Sequence, residues 1–279
     1  MLVVIGDLVA DLIVLGGAAL ERGTDNPAEV RLTRGGSAAN VAVAAAPRHP
    51  VRFIGRVGDD TIGRALVGEL EAAGVDVKVQ RGGRTGAIVV LVDAVGERTM
   101  ITDRGAAAEL EGIDAAWLST ARWLHLPLYG FATPASGEAV TDAAAAVTRA
   151  GAPVSLDLSS VATLRALGAE RLAALVRSVA PAVVFANEDE ARVANELDLD
   201  VSGSVYVVKR GGEAVLVTSG GVTREVAVQR VDDVLDSTGA GDAFAAGYIT
   251  AALGGADPQQ SAHAGSELAM SALRRAGAL

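Results

Sequence analysis

Asp242 and the glycines ahead of it are the residues of this sequence best placed to do chemistry. They lie in VLDSTGAGDAFAAGYITAAL (234–253), where a strand-like run ends at Asp236, a Gly-Ala-Gly turn follows, and Asp242 stands just ahead of an amphipathic helix. The first N–H groups of a helix have no internal acceptors, and the macrodipole makes that end partly positive. The small residues Gly239, Ala240 and Gly241 would let an anion approach those groups, as phosphate sites require. Asp242 beside them is a carboxylate that could take the proton of an attacking hydroxyl. A plain glycine turn with Asp242 as N-cap fits the same residues.

Three other groups have chemical potential. In RGGSAANVAVAAA (34–46) two glycines precede a helix of small residues, and Asn40 is the large polar group in its first turns. Its amide could meet a ligand hydroxyl or satisfy nearby backbone. In FANEDEARV (185–193) a strand ends at Asn187 and polar residues open a helix, so Asn187 and Glu190 could reach one ion or water. Acidic residues at that helix end also compensate the dipole with no further role. In VVKRGGEAV (207–215) Lys209 leaves a strand into two glycines, which suits a nucleotide wall and equally a hairpin turn.

The elements that must position these residues follow from two apolar periods. LVVIG (2–6), AIVVLVD (87–93), PVSLDL (153–158), AVVFAN (182–187), VYVVKR (205–210) and AVLVTS (214–219) have the β-branched content of strands. Helical periodicity marks Ser37–Ala46, Ile62–Ala73, Gly137–Ala150, Glu170–Ala180, Ala243–Leu253 and Pro258–Arg275. Strands alternating with helices predict an α/β fold: a doubly wound, mainly parallel sheet with helices on both faces. Residues 12–34, with glycines and the extended piece EVRLT, and residues 84–104, a hairpin pattern turning near Ala94–Glu97, break the alternation. They predict a small β-sheet lid over the ligand end, leaving 1–11, 35–83 and 105–279 as the core. Two ordinary surface excursions are the plainer alternative.

Composition narrows the chemistry. The 279 residues correspond to about two domain-equivalents by length. A net charge of −10 and a pI near 4.8 argue against nucleic acid or an anionic membrane as partner. The absence of Cys removes thiolate nucleophiles, disulfides and Cys-ligated metals, and 3 His leave little room for a multi-His metal site. The apolar start MLVVIGDLVADLIVLGG has no preceding Lys or Arg and carries Asp7 and Asp11, so a buried strand is expected rather than a signal peptide or membrane span. The expected compartment is the cytoplasm.

Taken in order, Asp7/Asp11, Gly35-Gly36…Asn40, Asn187…Glu190, Lys209-Arg210-Gly211-Gly212 and Asp236…Asp242 resemble the PfkB/ribokinase family of sugar and nucleoside kinases along essentially the whole chain. DSTGAGDAFAAG is the most specific part. The resemblance implies a ribokinase-like fold with a lid, and transfer of the ATP γ-phosphoryl group to a hydroxymethyl group of a small sugar, sugar acid or nucleoside. It implies Asp242 as general base and the N–H groups of Gly239, Ala240 and Gly241 as anion hole. Asp11, Asn40 and Gly36, with Asp7 as a second contact, would bind the acceptor. Arg104 would project from lid to substrate, although a solvated Arg is the plainer reading. Asn187 and Glu190 would hold a magnesium–water–phosphate network, Lys209 and Gly211 would line the nucleotide, and His263 would flank the adenine. Asp236 could supply half of a monovalent-cation site, and the lid could pair two copies into a homodimer.

The sequence also departs from the family. Where ribokinases tend to have G-G-K-G-A-N, Ser37 and Ala38 replace Lys and Gly, which makes ribose a less secure acceptor. The chain ends at Leu279, where relatives usually continue into the rest of the cation site. A catalytically silent binding relative is one rival reading, which the intact Asp242 and its glycine turn oppose. A dinucleotide oxidoreductase is another, but VVIGDLVAD lacks the three-glycine turn that close pyrophosphate approach needs.

Overall fold

The computed structural model describes residues 1–16, 20–93, 98–231, 234 and 237–274. Among them the chain forms thirteen strands and eight α-helices. In order these are β1 (Leu2–Ile5), β2 (Val9–Leu15), β3 (Glu29–Gly35), α1 (Ser37–Ala45), β4 (Val51–Val57), α2 (Thr61–Ala72), β5 (Asp76–Arg81), β6 (Thr85–Val92) and β7 (Arg98–Gly105). There follow α3 (Ala115–Leu118), β8 (Trp123–Pro127), α4 (Pro134–Arg149), β9 (Val154–Asp157), α5 (Val161–Val179), β10 (Val183–Asn187) and α6 (Glu188–Glu196). The chain closes with β11 (Val205–Lys209), β12 (Val215–Ser219), β13 (Val222–Val226), α7 (Ala240–Leu253) and α8 (Pro258–Leu273).

The large sheet has the order β13-β12-β11-β10-β9-β8-β1-β4-β5, parallel from β11 through β5 and antiparallel only at β12 and β13. Its central strands β1, β8, β9 and β10 are buried on both faces, as helices on both sides require. One face packs Val4, Phe53, Phe185 and Val207 against α1, α7 and α8. The other packs Ile5, Leu126, Leu156 and Val184 against α4, α5 and α6. The chain is thus an α/β protein with a doubly wound, mainly parallel sheet.

A second sheet has the order β3-β2-β6-β7, in which β2 and β6 are parallel and both edge pairs antiparallel. β2 begins at Val9 and β3 ends at Gly35, so this sheet reaches into the stretch 1–11 and up to the Gly35-Gly36 pair. The turn expected at Ala94–Glu97 lies outside the described residues. Asp60 ties the two sheets together. It caps α2 through Gly63 N–H at 2.7 Å and accepts from the Thr85 N–H and hydroxyl at 2.8 and 2.6 Å.

Two helices differ from expectation. α5 starts at Val161 rather than near Glu170, because Ser160 caps it and the chain carries a non-helical Gly168 through the middle, which interrupts the sequence period. α7 is not amphipathic. Ala243 to Ile249 are all buried, since the helix lies between α1, α8 and the large sheet, with Tyr248 set edge-on to Phe185 at 5.1 Å.

Candidate active site

Four parallel strands end at one crevice, the position that open α/β sheets offer to ligands. Asp7 follows β1, Asp157 ends β9, Asn187 ends β10 and Lys209 ends β11. Register makes these ends level: Asn187 pairs with Lys209, and Phe185 with Asp157. The start of α7, the end of α8 and the inner face of the small sheet complete a cleft of about 790 Å³.

Asp242 sits on the cleft floor. It is the third residue of α7, and the N-cap is Gly239, with φ 75°. Asp242 is therefore not a capping residue, and its carboxylate turns to α1 instead. Oδ1 accepts from the Ser37 hydroxyl at 2.6 Å and Oδ2 from the Asn40 amide at 2.9 Å. Arg34 Nη2 donates to Asn40 Oδ1 at 3.3 Å, which fixes the amide with its NH2 toward Asp242. Burial pushes the Asp242 carboxyl up to about 6, against the pull of the Ser37 and Asn40 hydrogen bonds.

The small sheet supplies the opposite wall. Asp11 on β2 and Arg104 on β7 both line the cleft. Arg104 crosses to the core, donating from Nε and Nη2 to Asp7 Oδ2 and Oδ1 at 2.7 and 2.6 Å. The solvated reading of Arg104 is thereby overturned: its side chain is 14% exposed, because a buried carboxylate waits across the cleft mouth. Gly35 and Gly36 make this wall possible. A Cβ on Gly35 would lie 2.0 Å from Asp11 Oδ1, and one on Gly36 would lie 2.2 Å from the Asp7 carbonyl oxygen.

At the other end of the cleft Asn187 and Glu190 form a reciprocal capping box on α6. Glu190 accepts from the Asn187 N–H and amide, each at 2.8 Å, and its own N–H donates to Asn187 Oδ1 at 2.8 Å. Burial first, and the nearby Asp157 second, push the Glu190 carboxyl up to about 7. Lys209 donates to Asp157 Oδ2 at 2.9 Å. Burial opposes the lysine's charge, yet Asp157 and Glu190 together hold its pKa above the ordinary value. Gly211 lies in the β11–β12 hairpin loop and lines the same cleft.

The model of the pfkB family carbohydrate kinases matches residues 1–279. The chain belongs to this family. A fructokinase of Escherichia coli is 32% identical over 260 residues, covering 86% of this chain and 84% of that protein. An ATP-dependent ribose-1-phosphate kinase of Halopiger xanaduensis is 34% identical over 256 residues, covering 85% and 80%. The structure of a fructokinase with bound ATP from Xylella fastidiosa superimposes with a TM-score of 0.83 at 24% identity, over 99% of this chain and 93% of that one. As a pfkB-family kinase the protein is a phosphotransferase acting on a hydroxyl group of a sugar or nucleoside.

In this pfkB-family kinase the cleft gathers Asp7, Asp11, Gly36, Asn40, Arg104, Asn187, Glu190, Lys209, Gly211 and the Gly239–Asp242 turn. His263 is not among them. It lies on the solvent stripe of α8 with Gln260, Glu267 and Arg274, while Ser266, Ala269, Met270 and Leu273 face the cleft about a quarter-turn away. Asp236 lies outside the described residues. Sequence reasoning passed over Ser37, Arg34 and Asp157 as site residues. The signal for Asp157 was an acid closing a buried strand ahead of Ser159, whose φ is 55°. For Ser37 and Arg34 it was polarity on either side of a Gly-Gly pair. No described helix is long and apolar enough to cross a membrane.

Proposed function

We propose that this kinase transfers the γ-phosphoryl group of ATP to a hydroxymethyl group of a small sugar, sugar acid or nucleoside. The observation that carries this reading is Asp242. Its carboxylate is oriented by Ser37 and Asn40 within the first turn of α7, one residue from the N–H groups of Gly239 to Gly241. Asp242 takes the acceptor hydroxyl proton, the freed oxygen forms its bond to the γ-phosphorus, and the bond to the ADP oxygen breaks. The helix-end N–H groups stabilise charge on the transferred group, and Ala240 N–H, as far as 3.3 Å from Ser237 O, is weakly engaged at rest. Asp11, Asn40 and Asp7 with Arg104 hold the acceptor, and Gly36 serves them indirectly by letting Asp7 approach. Lys209 and Gly211 hold the nucleotide. ATP as donor is supported by the ATP-bound fructokinase of the same fold.

Magnesium fits the nucleotide end. Glu190, Asn187 and Asp157 offer hard oxygen donors close enough for Asp157 to raise the Glu190 pKa. Among the described residues no group of three His, Cys, Asp or Glu is placed to hold a metal, so these residues would hold the ion only together with water and phosphate oxygens. Bound there, magnesium would offset phosphate charge. Glu190→Gln is expected to raise the magnesium concentration for half-maximal rate by about 10-fold or more. It should also lower stability by about 1 kcal/mol, because the amide leaves one Asn187 donor without an acceptor. A lower melting point with unchanged magnesium dependence would reduce Glu190 to a helix cap.

We also infer that the small sheet acts as a lid and pairs two chains. Leu32, Leu12, Val89 and Ile101 stand in one row across its four strands. The adjoining row, with Asp11, Ile88 and Thr102, faces the cleft, so the first row faces outward, with Leu32 65% and Ile101 61% exposed. Light scattering should give twice the chain mass of 28.1 kDa, and Leu32→Asp should give the single mass. A wild-type monomer at tens of micromolar would end this proposal.

The decisive experiment is ADP release measured over sugars, sugar acids and nucleosides with ATP and magnesium. Saturable release with at least one of them is expected. ATP binding without release from any acceptor would favour a silent binding protein.

A further inference from the structure

The cleft shows charge at its acceptor end that is already matched inside the protein. Arg104 engages its Nε and Nη2 edge with the two oxygens of Asp7, and both side chains are largely buried. That edge is the fork with which a guanidinium would take a carboxylate or phosphate in bidentate fashion. What Arg104 still offers is Nη1, a buried nitrogen with no acceptor among the described residues. Asp11 Oδ1 is likewise buried and without a donor among them. The wall thus holds one donor and one acceptor without a partner among the described residues, both closed to water, and no charged group of it is left for an anion.

Charge counting points the same way. Asp7, Asp11 and Asp242 face the acceptor end, against Arg34 and Arg104. Burial raises the Asp11 carboxyl to about 6, and Arg34 and Asp242 act on it with opposite signs, so these groups share one field. An added anion would lose its hydration beside a surplus of carboxylates, and the Arg104 charge that could receive it is already matched by Asp7. A neutral hydroxyl has no such penalty.

Resting on the kinase reading above, we propose that the acceptor pocket selects an uncharged polyol over its phosphorylated or carboxylated counterpart, and that the Asp7–Arg104 pair sets this selectivity.

The test compares acceptors in matched pairs: fructose with fructose 1-phosphate, ribose with ribose 1-phosphate, and uridine with its 3′-phosphate. For each pair that turns over, kcat/KM is expected to be at least about 30-fold higher for the neutral member, in line with one charged hydrogen-bonded group left unmatched. An anionic member that equals or beats its neutral partner would overturn the proposal. Asp7→Asn leaves the Arg104 charge unmatched, so the anionic-to-neutral ratio should rise about 10-fold or more. Arg104→Gln should raise KM for the neutral acceptor about 10-fold with no gain for the anion, and it decides the matter if Asp7→Asn does not fold. An unchanged ratio in Asp7→Asn with its native melting point would remove the pair from selectivity. If no acceptor of either kind is phosphorylated, the kinase reading fails separately. Calorimetric titration of the same pairs then decides: neutral binding alone supports the proposal, and anion binding, or none, overturns it.

Discussion

Asp242→Asn is expected to lower kcat by about 10²–10⁴-fold, the usual worth of general-base assistance. The introduced amide can still accept from Asn40, whose own orientation is held by Arg34, and can turn its NH2 to the Ser37 hydroxyl. Geometry is therefore kept while the proton acceptor is lost. ATP affinity, measured by titration, should stay within about 3-fold, because the change removes no group assigned to the nucleotide. The wild-type rate should rise with pH through about 6, where the carboxyl ionises, and level off above. The stability sign is opposite. A carboxyl whose pKa is raised in the fold stabilises it when protonated, and that contribution is lost as pH climbs from the ordinary carboxylate range to about 6. Asp242→Asn should thus melt no lower than wild type at pH 8, with any advantage fading at pH 4. A variant that keeps more than about a tenth of wild-type kcat would exclude Asp242 as the base.

Gly36→Ala is expected to cost about 2–4 kcal/mol of stability, a fall in melting temperature of roughly 3–7 °C for a chain of this size. Two penalties combine. Gly36 has φ 101° and ψ 119°, a conformation that L-residues rarely adopt. Its new Cβ would also meet the Asp7 carbonyl at 2.2 Å, and that carbonyl is backbone, which cannot rotate aside. Since Asp7 carries Arg104, the displacement should raise KM for the acceptor more than it alters ATP binding. Thermal melting and paired KM values check this, and a native melting point would show that the β1 end can yield.

Local features were legible in the residues. The apolar periods marked the parallel strands β1, β9, β10 and β11, whose ends build the cleft, and helices α1, α7 and α8 beside it. They overlooked β4, β5 and β8: Val51–Val57, for example, mixes Arg and Gly into a buried strand because Arg52 and Arg56 bond outside it, to Asp76 and to Glu109 and Glu111. The Gly-Ala-Gly-Asp turn was visible because close backbone approach at a helix start admits few residue types. The Asn187–Glu190 pair was visible for the same kind of reason, its two members lying one helical turn apart.

The sequence by itself determined the alternation of strand and helix, the glycine turns and the order of the polar motifs, since each depends on neighbours within a few residues. Only the tertiary structure decided what those polar groups do to one another. Ser37 and Asp242 are 205 positions apart, Asp7 and Arg104 are 97 apart, and Asp157 and Lys209 are 52 apart. They meet because parallel β1, β9 and β11 end at the same side of the large sheet while β7 of the small sheet brings Arg104 to the end of β1, which no local period encodes. The fate of His263 turned on the same kind of long-range fact. Ser266, Ala269, Met270 and Leu273 of α8 face the cleft, and His263 projects from another side to solvent. Burial then set the acidities, because raising Asp242 and Glu190 requires surrounding protein that displaces water from both ends of the cleft.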